Sequence, residues 1–167
     1  IEGFLAALGA AARRLPEGWH LRLKEHPSAQ QSLAPLIAPL LGSGRVVLDN
    51  TSDSFAQVTG ARAVVTLNSS MGLQAFFHDK PVITLGRAFF ALPGLVTPAT
   101  SQSALDRAFA DPAVPGFDPA LRAAFMNWLD QVYYPRFAFA EGGSADFDRD
   151  AFAAKLRQAR SIAAAGS

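Results

Sequence analysis

The sequence predicts an α/β domain, in which helices cover both faces of a parallel sheet. Short apolar segments alternate with segments whose apolar residues recur at helical spacing. Most of the short segments are apolar throughout, as expected for strands covered on both sides. Polar residues follow directly where two of these strands end, and α/β proteins bind ligands at such strand ends. Together these observations predict a Rossmann-like fold.

The composition describes one globular domain and excludes several classes of function. The chain has 167 residues, of which 50% are hydrophobic and 17% are charged, so it can bury one core. Its formal charge of +1 gives no broad attraction for nucleic acid, and no nucleic-acid partner is expected. It has no cysteine, which excludes disulfides, thiolate zinc sites and a cysteine nucleophile. No apolar run reaches membrane-spanning length.

The first two thirds of the chain contain the alternating elements. An amphipathic pattern predicts a helix over 1–15, and the alternation of apolar and polar residues predicts the first strand, 19–24. Ser52 or Asp53 caps a later helix, and Gly60 takes the position of a C-terminal glycine. The predicted strands are 19–24, 46–48, 63–67 and 82–85. The predicted helices of this part are 1–15, 33–41, 53 to about 58, 69–78 and 101–110.

The last third of the chain is predicted to be helical. A run rich in Pro and Gly, 111–118, is typical of a linker. Helices are predicted over 119–132 and 148–165, and the aromatic residues 133–139 between them are predicted to be irregular. We therefore expect residues 1–167 to form a single domain with C-terminal helices from about 118, as a fragment of a longer chain.

The first polar cluster, Lys24-Glu25-His26-Pro27, follows the first predicted strand. Pro27 holds the preceding residue in an extended conformation. The imidazole of His26 could then donate to a phosphate, or protonate a leaving phosphate as a general acid. Lys24 shares strand parity with His26, so both side chains could point the same way. The alternative is a surface histidine at a strand end.

The second polar cluster lies between a strand and a helix, in the run Asn68-Ser69-Ser70-Met71-Gly72. The two serine hydroxyls and the amides of the turn could hold a phosphate. Gly72 has no side chain, so a backbone or a ligand can approach it closely. Gln74 lies one turn into the helix, where its amide could bind sugar hydroxyls. The alternatives are an N-cap for the serines and a solvated Gln74.

Other chemistry has weaker support in the sequence. The chain contains no dinucleotide-binding glycine motif, no Walker loop and no nucleophile elbow. Its carboxylates form no metal-binding pattern, so no metal ligands are predicted.

Three segments taken in order resemble the capsule polysaccharide synthesis family: Lys24-Glu25-His26-Pro27, residues 66–75 and residues 80–90. The resemblance covers roughly residues 21–96. Characterised members of that family are retaining β-Kdo glycosyltransferases, which use CMP-Kdo to build the oligo-Kdo linker of bacterial capsular polysaccharide. The combination of motifs is much more specific than any one of them.

The resemblance implies the C-terminal, nucleotide-binding half of a GT-B glycosyltransferase. In related CMP-sugar transferases the His-Pro and Ser-Ser motifs hold the CMP phosphate, which places His26 and Pro27 in the first motif and Ser69 and Ser70 in the second. Lys24 matches the basic residue ahead of the first motif. This chain departs from the family at two positions, with Gln74 in place of glutamate and Phe90 in place of tyrosine.

The resemblance also implies the partners. CMP-Kdo is the donor substrate, no separate cofactor is expected, and the acceptor is a glycolipid or polysaccharide. A missing N-terminal domain would supply the acidic catalytic residue. The expected location is cytoplasmic, with peripheral association with the inner membrane through the capsule export machinery.

Two alternatives remain open at this point. The first is a GT-B transferase or epimerase that uses a UDP-sugar, because such enzymes also carry a Ser/Gly turn on this helix. The second is a non-catalytic module of an envelope polysaccharide system, with the aromatic residues 133–139 as a partner surface.

Overall fold

A computed structural model describes residues 1–26, 31–134, 137–139 and 145–165. The chain divides into two compact units, Ile1–Asp118 and Pro119–Ser167. The boundary between them falls at the end of the predicted linker. The expectation of a single domain stays a prediction.

The first unit alternates helices and short strands. Its helices are α1 (Glu2–Ala12), α2 (Ala34–Leu41), α3 (Ser54–Gly60), α4 (Met71–Phe76) and α5 (Gln102–Ala110). Its strands are β1 (Leu21–Leu23), β2 (Val46–Leu48), β3 (Val64–Thr66), β4 (Val82–Thr84) and β5 (Thr97–Pro98). Asp53 and Ser101 cap α3 and α5, because their side chains accept from the amides of Ala56 and Ala104.

The strands of this unit pair in parallel, which confirms the predicted α/β class. In one sheet β1 pairs with β2, with Leu21 opposite Val46. In a second sheet the order is β3-β4-β5, with Thr66 opposite Thr84. Because these pairs are parallel, the residues that follow β1 and β2 lie at the same edge of the first sheet. The residues that follow β3 and β4 likewise share one edge of the second sheet.

One hydrophobic core serves both sheets. Its buried members come from α1, β4 and α5 and from the segment that follows β5: Leu8, Ala11, Ile83, Ala99, Leu105, Ala108 and Phe109. Leu21 and Leu23 of β1 and Val65 of β3 pack against the same cluster. Both sheets therefore contact the layer formed by α1 and α5.

Helix α4 covers the opposite face of β3. Successive side chains of a strand point to opposite faces, so Thr66 faces away from the cluster that Val65 contacts. The backbone of Gly72 in α4 lies against the Thr66 methyl group and the ring of Phe90. Phe90 in turn packs edge-on against Phe76, with 5.7 Å between the ring centroids. Helices therefore cover both faces, as predicted.

Several boundaries in the first unit differ from the sequence prediction for local reasons. Helix α4 is shorter than predicted because Asp79 has a positive φ of 50° and the Lys80 amide donates to the Ala75 carbonyl, which closes the helix. Gly60 does not follow α3 as predicted but is its last helical residue. Strand β5 was not predicted, since Pro98 lacks the N–H expected of a strand residue.

The second unit contains α6 (Pro119–Trp128), a π-helical turn (Leu129–Tyr133), β6 (Phe137–Phe139), β7 (Ala145–Phe147) and α7 (Arg149–Ala165). The two helical predictions are confirmed, although the first helix changes to π geometry in its last turn. The predicted irregular segment contains β6, which pairs antiparallel with β7. The prediction was wrong there because a proline and clustered aromatic residues do not give the alternating pattern typical of a strand.

The core predicts a clear difference between two leucines. Leu105→Ala is expected to lower the free energy of unfolding by about 2–5 kcal/mol, because Leu105 is 1% exposed and its truncation leaves a cavity. Denaturant unfolding followed by circular dichroism measures the change. Leu92→Ala is the control, since Leu92 is 46% exposed and its truncation is expected to cost about 0.5 kcal/mol or less. Equal losses in the two variants would contradict this core.

Candidate functional site

The first polar cluster is held by contacts between the ends of β1 and β2. Arg22 pairs with Asp49 at 2.6 Å. The Lys24 ammonium donates to the Ser52 carbonyl at 2.5 Å. Since β1 and β2 run in parallel, residues some 25 positions apart in sequence meet at one edge of the sheet.

Glu25 has a structural function that the sequence did not reveal. Its backbone N–H donates to Asn50 Oδ1 at 3.0 Å, and Asn50 Nδ2 donates to Glu25 Oε2 at 2.6 Å. The amide of Leu33 and the hydroxyl of Ser32 donate to Glu25 Oε1. The Leu33 amide and then the Asn50 side chain lower the pKa of Glu25, so the carboxylate is stabilised as the anion.

Asp49 organises the turn that follows β2. It accepts from the amide of Ser52 at 2.9 Å and from the amide and the hydroxyl of Thr51, both at 3.2 Å. The Ser52 amide is the main reason why the pKa of Asp49 is well below its usual range. Glu25 and Asp49 are therefore stabilised as anions by hydrogen bonds within the scaffold.

His26 lies directly after these anchored residues, and its side chain is exposed. Lys24 is partly buried and already contacts the Ser52 carbonyl, so it reaches a ligand only with its remaining N–H groups. The predicted site residue Pro27 lies outside the described residues.

The second cluster leads from β3 into α4. The Ser69 amide donates to the Thr66 hydroxyl at 3.0 Å, and the Ser69 hydroxyl accepts from the Met71 amide at 3.2 Å. Ser69 thus acts in the predicted alternative role, as a cap-like residue of the turn. Ser70 occupies the N-cap position, but its side chain makes no capping hydrogen bond and is exposed. Its hydroxyl faces solvent at the start of the helix.

Asn68 and Gly86 bring the ends of β3 and β4 together. A Cβ at Gly86 would lie 2.4 Å from Asn68 Oδ1 and 2.9 Å from the Leu67 carbonyl oxygen. Position 86 therefore has no room for a side chain while Asn68 keeps its place. Asn68 is exposed.

Gly72 is buried, and its missing side chain serves packing. A Cβ there would lie 2.8 Å from Phe90 Cζ and 2.9 Å from the Thr66 methyl carbon. The close approach predicted for a backbone or a ligand is made by these two side chains. Phe90 is 1% exposed, so it acts as a core residue.

Gln74 lies on α4, partly buried. Its Oε1 is enclosed and accepts no hydrogen bond within the part of the chain that the structure describes. The same holds for the hydroxyl of Thr84, which is 1% exposed at the end of β4. Sequence reasoning did not single out Thr84, because a threonine in an apolar strand carries no distinctive pattern.

A cavity of about 270 Å³ opens beside the ends of β3, β4 and β5. Leu67 and Leu85 line it immediately before Asn68 and Gly86, and Thr100, Ser101 and Gln102 supply polar groups. Ala99 and residues of α1 and α5 complete the lining. None of the predicted site residues lines this cavity. Leu67 and Leu85 were not predicted as site residues, because hydrophobic residues at the end of a strand are typical of a core.

The described residues contain no group of three or more His, Cys, Asp or Glu placed to hold a metal ion. Among the helices of those same residues, none is long and apolar enough to cross a membrane.

Comparison with known proteins gives one family and several relatives. The profile described as "Capsule polysaccharide biosynthesis protein" matches residues 1–129. Protein FixF of Sinorhizobium fredii is 31% identical over 137 residues, which are 81% of this chain and 32% of that protein. Capsule polysaccharide export protein KpsS of Escherichia coli is 32% identical over 90 residues, 50% of this chain and 23% of that protein.

Capsule polysaccharide modification protein LipB of Neisseria meningitidis, from serogroup A or B, is 27% identical over 124 residues, 68% of this chain and 25% of that protein. The chain thus spans a third or less of the length of these relatives. No solved structure matches it. The family resemblance drawn from the motifs is confirmed.

The contact of Gly72 predicts an effect on stability. Gly72→Ala is expected to lower the free energy of unfolding by about 1–3 kcal/mol, because the new methyl group overlaps Phe90 and Thr66. The additional substitution Phe90→Leu should restore part of the loss by making room. Gly42→Ala is the matched control, since no atom lies within 4 Å of its Cβ position. Thermal unfolding of the three variants measures the effect, and an unchanged Gly72→Ala would contradict the packing.

Asp49 predicts part of the acid sensitivity of the fold. Because its pKa is lowered in the folded chain, its contribution is fully present above the unfolded value, near pH 4, and is lost as the pH falls through the folded value. In Asp49→Asn the stability should therefore be lower at neutral pH but fall less between about pH 4 and pH 2. Urea midpoints over this pH range, with Asp79→Asn as the control, measure the slope. The same slope in Asp49→Asn and the unsubstituted chain would contradict the assignment.

Proposed function

The chain belongs to the capsule polysaccharide biosynthesis family, and from this premise we propose that it is the donor-nucleotide-binding part of a glycosyltransferase. The full-length protein transfers Kdo from CMP-Kdo to a glycolipid or polysaccharide acceptor. The proposed location is the cytoplasm, with peripheral association with the inner membrane. One relative is named a capsule polysaccharide modification protein, which is consistent with a transferase.

The observation that carries the proposal is the pair of polar clusters at the carboxyl ends of parallel strands. One contains Lys24 and offers the exposed imidazole of His26, and the other offers the exposed hydroxyl of Ser70. Strands of both sheets contact one core, and α/β folds bind ligands at the carboxyl ends of their strands. A phosphate needs donors and positive charge, and these groups supply both.

Each residue has a defined part in the proposed reaction. His26 donates a hydrogen bond to the CMP phosphate and protonates it as the bond to Kdo breaks. Lys24 stabilises the charge that develops on the phosphate. Ser69 accepts from the Met71 amide with a lone pair, so its own proton remains available to donate.

In this proposal, Gln74 binds the ribose of the nucleotide. Its Oε1 has no partner among the described residues and can accept from a ribose hydroxyl. Because that oxygen is enclosed, the hydroxyl reaches it only after the Gln74 side chain turns outward. An amide accepts such hydrogen bonds more weakly than a carboxylate does.

His26→Ala in the full-length protein is expected to lower the rate of Kdo transfer by roughly 10²- to 10⁴-fold, the usual contribution of a general acid. CMP released from CMP-Kdo in the presence of acceptor measures that rate. The unfolding temperature should not change, because the side chain is exposed. His20→Ala is the control, as His20 is another exposed histidine that follows no strand end. Full activity in His26→Ala would refute the proposal.

Calorimetric titration of the full-length protein with CMP and with UDP separates this proposal from the alternatives. CMP binding that is weakened by Ser70→Ala supports the second cluster as part of the phosphate site. Preference for UDP would favour a UDP-sugar enzyme. CMP binding without transfer would favour a non-catalytic module, for which the name of the relative KpsS, an export protein, gives a reason.

A further inference from the structure

Glu25 precedes His26 directly, and the proposed reaction leaves its carboxylate unused. A single side chain, Asn50, holds Glu25 at two points. Asn50 Oδ1 accepts from the Glu25 backbone N–H at 3.0 Å, while Asn50 Nδ2 donates to Glu25 Oε2 at 2.6 Å. Backbone and side chain of residue 25 are thus fixed to the residue that follows Asp49 at the end of β2.

The second carboxylate oxygen of Glu25 binds a different part of the chain. Glu25 Oε1 accepts from the Leu33 amide and from the Ser32 hydroxyl, which is 3.1 Å away. Leu33 is the N-cap residue of α2. The carboxylate therefore connects three elements: the end of β1, the end of β2 and the start of α2.

These contacts use both oxygens of the carboxylate. An acceptor with this many donors around it is a poor base and has little capacity left for a ligand, as its lowered pKa also indicates. The other polar groups at this edge, Arg22 and Lys24, contact different residues at the end of β2, Asp49 and Ser52. Glu25 precedes His26 directly in the chain, so the hydrogen bonds that fix residue 25 also restrict the backbone at residue 26.

We propose that Glu25, held by Asn50, is a positioning residue for His26. It fixes the backbone from which the imidazole extends, so that His26 meets the phosphate in one orientation. The inference rests on the function proposed above, in which His26 acts on the phosphate. A catalytic group displaced by about 1 Å loses roughly 10²-fold in rate, so the backbone before His26 has to be held closely.

Glu25→Gln tests the proposal in the full-length protein. The substitution keeps the size of the side chain but places an NH₂ group against the donors of Asn50 or Leu33. We expect kcat for Kdo transfer to fall roughly 10- to 100-fold, with a smaller change in KM for CMP-Kdo. Hydrogen exchange of the residue 25 and 33 amides should become faster.

A double variant, Glu25→Gln with Asn50→Asp, exchanges the two groups. The amide then lies at position 25 and the carboxylate at position 50, so the contact between the side chains re-forms in the reverse direction. A carboxylate oxygen also remains for the backbone N–H of residue 25. We expect this double variant to recover a substantial part of kcat, whereas Asn50→Asp alone, with two carboxylates face to face, does not.

Arg22→Gln is the matched control. It breaks another contact between the ends of β1 and β2, but the Arg22 side chain is 44% exposed and such pairs contribute little. We expect unchanged kcat in this variant. The unfolding temperature of each variant is measured as well. Where it lies well above the assay temperature, a loss of activity does not come from a loss of folded protein.

The outcomes distinguish this inference from the proposed function. If His26→Ala loses activity while Glu25→Gln keeps full kcat, the inference is overturned and the proposed function stands. Unchanged amide exchange in Glu25→Gln overturns the inference whatever the activity. If the unsubstituted protein transfers no Kdo or His26→Ala is fully active, the proposed function fails and takes this inference with it. Loss of kcat with recovery in the double variant supports both.

Discussion

Parallel pairing of very short strands is the constraint on which the rest of the structure depends. The named strands of the first unit have two or three residues each, so the ladders contribute few hydrogen bonds. Parallel pairing nevertheless brings the residues that follow paired strands to a common edge. The two polar clusters therefore lie at strand ends, while the layer of α1 and α5 contacts the strands from one face.

Short ladders leave the strand ends to be fixed by side chains. At the first edge Arg22, Lys24 and Glu25 each contact a different group in the segment 49–52. At the second edge Asn68 lies against Gly86, and Thr66 accepts from the Ser69 amide. At both edges, side chains and turn amides therefore fix the strand ends, as additional ladder hydrogen bonds do in longer sheets. The exposed His26 and Ser70 extend from backbones fixed in this way.

The sequence was sufficient for features that depend on local patterns. Asp53 as one of two cap candidates, the strand 46–48, a helix from about residue 101 and the alternation of strands and helices all follow from neighbours in sequence. Contacts between distant residues were not predictable. Glu25 finds Asn50 only once β1 and β2 pair, and the cavity beside Leu67 and Leu85 needs α1 and α5 in place.

The contact between Gly72 and Phe90 also constrains how this family of sequences can change. The ring of Phe90 fills the space that a side chain at position 72 would occupy, and Thr66 closes it from the sheet. A larger residue at position 72 therefore requires a smaller one at position 90, and neither step alone keeps the packing. Substitutions at positions 72 and 90 are therefore coupled, so the packing of the first turn of α4 depends on the segment that follows β4.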